Sequence, residues 1–63
     1  MRLELSNHWK NYINKIPETG MGYHTVNIRL QNNILLENRT IINGTYLEIL
    51  ENELTNEDIK NIG

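Results

Sequence analysis

The sequence predicts an α+β domain, in which a short N-terminal helix packs on a strongly bent antiparallel meander of three or four strands. Three observations carry this expectation. Trp9, Tyr12, Ile13 and Ile16 recur at helical spacing. His24, Val26, Ile28 and Leu30 then alternate with Tyr23, Thr25, Asn27 and Arg29, a period of two. Asn43-Gly44 between apolar runs is the strongest short-range hairpin signal a sequence offers.

The helix is expected over Ser6–Ile16, with the Ser6 hydroxyl capping its first turn and Lys15 suiting the negative end of its dipole. Pro17 stops it, because the residue before a proline is pushed away from helical angles. About ten residues cannot hold a helix alone in water, so the Trp9 face must pack on something. Pro17-Glu-Thr-Gly-Met-Gly22 reads as a connector whose two glycines allow positive φ. The first strand is expected from Tyr23 to Leu30, and Asn32-Asn33 supplies a tight turn. A second strand over Ile34–Ile42 alternates less cleanly. Thr45–Glu51 is the third strand, with Leu47 and Ile49 inward and Glu48 outward. In the tail, Thr55 with Asp58 resembles a capping box, and Leu54 with Ile59 a hydrophobic staple. The expectation there is one helical turn followed by a brief strand.

The chain of 63 residues is read as a single domain, 1–63. Its 24 apolar residues are enough for one thin core, and a domain this short buries only about 60% of its unfolded surface. Cysteine is absent, which excludes disulfides, thiolate metal clusters and a Cys nucleophile. No apolar run approaches the ~20 residues of a membrane span, and the N-terminus lacks a basic-then-apolar signal pattern. The expected address is therefore cytoplasmic, without a membrane partner. Net charge is −2, divided as +2 over residues 1–29 and −4 over residues 30–63. Positive charge is nowhere clustered enough to neutralise phosphates, which argues against a nucleic-acid partner. Eleven Asn and nine Ile with no Ala read as an AT-rich coding bias rather than as chemistry.

His8-Trp9, Tyr12 and Pro17-Glu18-Thr19-Gly20-Met21-Gly22-Tyr23-His24, followed by Val26-Asn-Ile-Arg-Leu30 and Asp58-Ile-x-x-Ile62, resemble a family of short uncharacterised bacterial proteins. That family opens with an HWxxY helix leading into PETGMGY. The resemblance covers most of the chain and implies the same helix-then-strand order, with no activity attached. Two features depart from it: Asn32-Asn33 stands at the family's Asp-Gly turn, and the chain stops at Gly63 where relatives continue. The strand pattern also resembles small SH3-like and Sm-like β-barrels, a shape that does not fix function.

Candidate chemistry is sparse. His8 and His24 with Glu18 lack metal-ligand spacing, and His24 lies in phase with Val26 and Ile28 as a partly buried, hydrogen-bonded histidine would. Ser6 is the only serine and reads as a cap rather than a nucleophile. Glu51/Glu53 and Glu57/Asp58 lie in polar, turn-like sequence, a solvated rim rather than an acid–base pair. Gly20-Met-Gly22 has the wrong order for a phosphate loop, which needs a strand before it and a helix after. The sequons at Asn38 and Asn43 match by chance frequency. Neither an enzyme nor a cofactor is expected; the reading is a non-enzymatic protein-interaction or regulatory module.

The residues expected to touch a partner or ligand are Trp9, Tyr12, Tyr23, His24, Arg29 and Arg39. The alternative is a nucleic-acid-binding small β-barrel using Tyr23, Arg29 and Arg39, since aromatics on a sheet near Arg side chains stack bases. Ile34, Leu35, Leu36, Ile41 and Ile42 lie on both faces of one strand, so its second face should also be covered. The N-terminal helix is the intramolecular cover; a second copy, giving a homodimer, is the other. Unprotected sheet edges would favour self-association.

Overall fold

Alternation over residues 23–30 becomes the longest strand pair of the molecule and sets the direction of the rest. The computed structural model describes residues 2–49 and 54–63. The elements run β1 (Arg2–Glu4), α1 (Asn7–Ile13), β2 (Tyr23–Leu30), β3 (Leu35–Ile42), β4 (Tyr46–Glu48), a 3-10 turn at Asn56–Asp58 and β5 (Ile59–Ile62). The strands form one antiparallel half-barrel in the order β1-β4-β3-β2-β5. The expected meander is thus present as β2-β3-β4, but it is flanked by a strand on each side, making five among the described residues rather than three or four. No helix among the described residues is long and apolar enough to cross a membrane.

The turns follow from asparagine and glycine. Asn33 has φ 69°, and the Leu30 N–H donates to Ile34 O at 2.9 Å across that turn. Asn43 (φ 54°) and Gly44 (φ 64°) supply the paired positive angles of a primed hairpin turn. A Cβ on Gly44 would also lie 2.6 Å from Asn14 Oδ1.

The irregular alternation of β3 has a physical cause. Tyr23 pairs with Ile42 and Val26 with Arg39, but Ile28 pairs with Leu36, so one extra β3 residue faces Asn27. Asn38 takes φ 55° at this bulge, and its N–H donates to Asn27 Oδ1 at 3.1 Å. The inserted residue reverses the strand's parity. Leu36 and Ile41, an odd number of residues apart, therefore both point into the core. Ile34 and Leu35 remain exposed.

One apolar core fills the concave side of the sheet. Val26, Ile28, Leu36, Ile41 and Leu47 come from the sheet, Ile59 and Ile62 from β5, and Leu5, Trp9 and Ile13 from the N-terminal segment and helix. Ile49 and Leu54 join it from either side of residues 50–53. The Thr45–Glu51 strand is observed only as Tyr46–Glu48; Leu50 and Glu51, like Asn52 and Glu53, lie outside the described residues. Because α1 covers the concave side, it does not cover the second face of β3, which corrects the expectation that it would.

The helix is shorter than Ser6–Ile16. Ser6 stands at its N-cap with extended angles, but its hydroxyl makes no capping bond. Its N–H instead donates to Asn56 Oδ1 at 2.8 Å. After Ile13 the chain tightens, with Lys15 N–H donating to Tyr12 O and Ile16 N–H to Ile13 O. Ile16 O then accepts from His24 Nε2 at 2.8 Å, so the carbonyl is turned to the sheet just before Pro17. Lys15 lies beyond the helix, and Lys10 is the basic residue of its last turn.

The sheet edges are protected, contrary to the expectation of open ones. On β5 the register slips between Arg29 and Leu30, leaving exposed Lys60 as the extra residue. A bulge with a lysine on an edge discourages further pairing. On β1, the Asn56 side-chain amide occupies the outer edge: Oδ1 accepts from Ser6 N–H, and Nδ2 donates to Glu4 O at 3.0 Å. The Leu5 N–H points the other way, to Thr45 O at 2.8 Å. Asn56 is held there by the turn that Thr55 and Asp58 build, with Asp58 Oδ2 accepting from the Thr55 N–H at 2.9 Å and from its hydroxyl at 3.1 Å. The expected helical turn and short closing strand are both present.

Two outcomes follow. Trp9→Ala is expected to cost about 3–5 kcal/mol, most of the stability of so small a domain. Circular dichroism checks this, since the only tryptophan is lost. Asn56→Ala is expected to cost about 1–3 kcal/mol by stranding the Ser6 N–H and Glu4 C=O. The melting temperature should fall by about 4–8 °C per kcal/mol. Asn56→Asp should not restore it, because a carboxylate sets an acceptor against the Glu4 carbonyl.

Candidate functional site

The outward face of the sheet is assembled by strand register. Tyr23 on β2 opposes Ile42 on β3, Ile42 opposes Tyr46 on β4, and Tyr46 opposes Glu4 on β1. Direct antiparallel partners share a face, so these side chains form one row across four strands. Tyr23 is 40% exposed and Tyr46 38%, while Ile42 between them is half-buried. Among the described residues, no element covers this row.

Charged pairs border its β1 end. Arg2 Nε lies 3.0 Å from Glu48 Oε1, and the Arg2 guanidinium sits over the Tyr46 ring at 6.0 Å from its centroid. Lys10 Nζ reaches from α1 to Glu4 Oε2 at 2.9 Å. The Arg2–Glu48 pair is solvated on both sides and the Lys10–Glu4 pair on its carboxylate side, so they order side chains more than they stabilise the fold.

At the other end, the Gly20–Tyr23 turn sets the Tyr23 ring. Gly20 N–H and Thr19 N–H donate to Tyr23 O at 3.2 and 3.0 Å, and Asn43 N–H donates to Gly22 O at 2.8 Å. The connector's two glycines serve different needs. Gly22 has φ 84°, as expected, whereas Gly20 does not use a positive φ. A Cβ on Gly20 would collide with the Tyr23 ring, so Gly20 is the surface against which that ring lies. Met21, at the crest between them, is 99% exposed.

The residues expected to touch a partner do not stay together. Trp9 is buried, with the His8 and Tyr12 rings edge-on at 4.7 and 5.8 Å. His24 is 3% exposed, and its Nε2–H is committed to Ile16 O; Nδ1 is buried with no partner among the described residues. Both side chains are buried, as core packing of Trp9 and the hydrogen-bonded reading of His24 lead one to expect, and neither presents a contact surface. Tyr12 is 38% exposed on α1. Arg29 shares the outward face with Tyr23 but lies six residues along β2, about 20 Å at ~3.3 Å per residue. Its Nη1 donates to Asn33 O at 2.9 Å. Arg39 is half-buried and opposes core-facing Val26. Tyr23, Arg29 and Arg39 therefore do not form one cluster. Among the described residues, no group of three His, Asp or Glu side chains could hold a metal ion.

Sequence reasoning missed Ile42, Tyr46 and Met21. A two-residue Asn43-Gly44 turn would set Ile42 opposite Thr45, whereas the strands pair Ile42 with Tyr46, so the turn alone did not reveal the row. Searches of family models, curated proteins and solved structures return no match to this chain.

Gly20→Ala is expected to displace the Tyr23 ring at a cost near the lower end of the ~1–3 kcal/mol of overpacking, since the far end of the ring is free to move. The Tyr23 ring-proton shifts and the melting temperature check this. Shifts unchanged from the parent would contradict the contact.

Proposed function

We propose that this protein is a non-enzymatic interaction module that docks a partner protein on the outward row of Tyr23, Ile42 and Tyr46. One observation carries the reading: two tyrosines flank an isoleucine on a sheet face that no described element covers. Rigid aromatic side chains around an apolar centre, with a charged rim, have the composition of an interface centre. Tyr23 is held in place by its backbone turn and Tyr46 by its strand register, so little ordering is required when a partner binds. In this reading the half-barrel is of the small SH3-like or Sm-like kind, supported by five short antiparallel strands curled round one core. The HWxxY and PETGMGY segments resemble the short bacterial proteins of that pattern, and that resemblance is part of the proposal.

Nucleic acid is the rival occupant, because exposed tyrosines on a sheet can stack bases. A second copy of the chain is another. The test compares the parent, a Tyr23→Ser/Tyr46→Ser double variant and a Tyr12→Ser control, each first shown to be folded. Quantitative capture from the native cell should yield the same proteins with parent and control. The double variant should lose them by about tenfold or more, as expected for two interface centres of ~1–2 kcal/mol each. Capture that is unaffected by the double substitution overturns the reading. Micromolar RNA or single-stranded DNA binding that weakens steeply with salt replaces it with the rival. A melting temperature that climbs with protein concentration assigns the face to a homodimer instead.

A further inference from the structure

We propose that Met21 is a reversible oxidation site, reached and repaired without unfolding the protein. The basis is an unusual combination of exposure and order. Met21 is 99% exposed, yet the backbone on both sides of it is pinned. Gly20 O accepts from Tyr23 N–H at 3.3 Å, and Gly22 O accepts from Asn43 N–H at 2.8 Å. Thr19 Oγ1 accepts from Thr25 N–H at 2.9 Å. The flanking glycines place no side chain beside the thioether, so Sδ is open to solvent while the turn that carries it is anchored to β2 and to the β3–β4 turn. Buried methionines exchange packing for polarity when oxidised; this one has no packing to lose.

The oxidant is a hydroperoxide. The Sδ lone pair attacks the terminal peroxide oxygen and the O–O bond breaks. Sulfur becomes a sulfoxide, and the peroxide is reduced by two electrons to water or an alcohol. In repair, a thiol-dependent methionine sulfoxide reductase takes the oxygen off as water, and two thiols become a disulfide. Repair needs the sulfoxide to enter the reductase, which an exposed turn crest allows and a core position does not. The modification converts a flexible apolar tip into a polar one on the turn that leads into Tyr23 and leaves the core unchanged. It holds whichever molecule docks on the tyrosine row.

The test treats the folded protein with hydrogen peroxide and follows the Met21 peptide by mass spectrometry. Met21→Leu is the control that removes the signal. Met21 should gain one oxygen at a rate within about threefold of N-acetylmethionine amide, the rate of an unprotected thioether. The melting temperature should not move, and reductase with dithiothreitol should restore the parent mass without denaturant. A Met21 rate slower than that, a lowered melting temperature on oxidation, or a sulfoxide repaired only after unfolding would each overturn the proposal.

Discussion

One side-chain amide joins the beginning of the sheet to its end. Asn56 sits fifty residues from Ser6, and it offers an acceptor to the Ser6 N–H and a donor to the Glu4 C=O. These are the two outward-facing backbone groups that flank Leu5, whose own N–H is turned inward to Thr45 O. The amide thus fills the position a further strand would occupy. Without it, a three-residue edge strand would leave backbone groups unmatched beside the core. Leu5 and Trp9, which follow directly from β1, owe their burial to that edge being fixed.

The same residue type recurs at several of the points where the backbone turns or bulges. Among the described residues, Asn33, Asn38 and Asn43 hold the three positive-φ positions outside glycine. Asn27 and Asn32 accept from the backbone at the bulge and at the β2–β3 turn. Asn14 packs on Gly44. Asparagine tolerates left-handed angles and bonds locally to the backbone, which suits it to each of these positions. Whatever set the composition, the asparagines are not chemically idle. They replace the glycines and prolines that a small sheet protein would otherwise use, and the molecule has few of either.

How much of this could be read in advance depends on range. The His24–Leu30 alternation, the Asn43-Gly44 turn and the Thr55–Asp58 cap act over a few residues, and each is found where the sequence places it. β1 was missed because a three-residue strand exists only when a neighbour offers an edge, although Arg2-Leu3-Glu4-Leu5 does alternate. The Asn38 bulge was legible only as an anomaly, the odd spacing of Leu36 and Ile41. Helix length depended on Ile16 O being drawn to His24, a contact across the connector that no local rule contains. The tyrosine row is similar: Tyr23 stood out in the sequence, but its neighbours Ile42 and Tyr46 are joined to it by register, and Trp9 and His24 were removed from it by burial.

Closure of the sheet by Asn56 is the central physical claim, and hydrogen exchange at the Ser6 amide tests it most directly. The Ser6 N–H lies on an edge, where an unpaired amide exchanges through local fluctuation. Held by Asn56, it should exchange with the slow core amides of β2, at a rate set by global unfolding. A Ser6 amide that exchanges at the rate of an unstructured peptide, while Ile28 stays protected, would contradict the account.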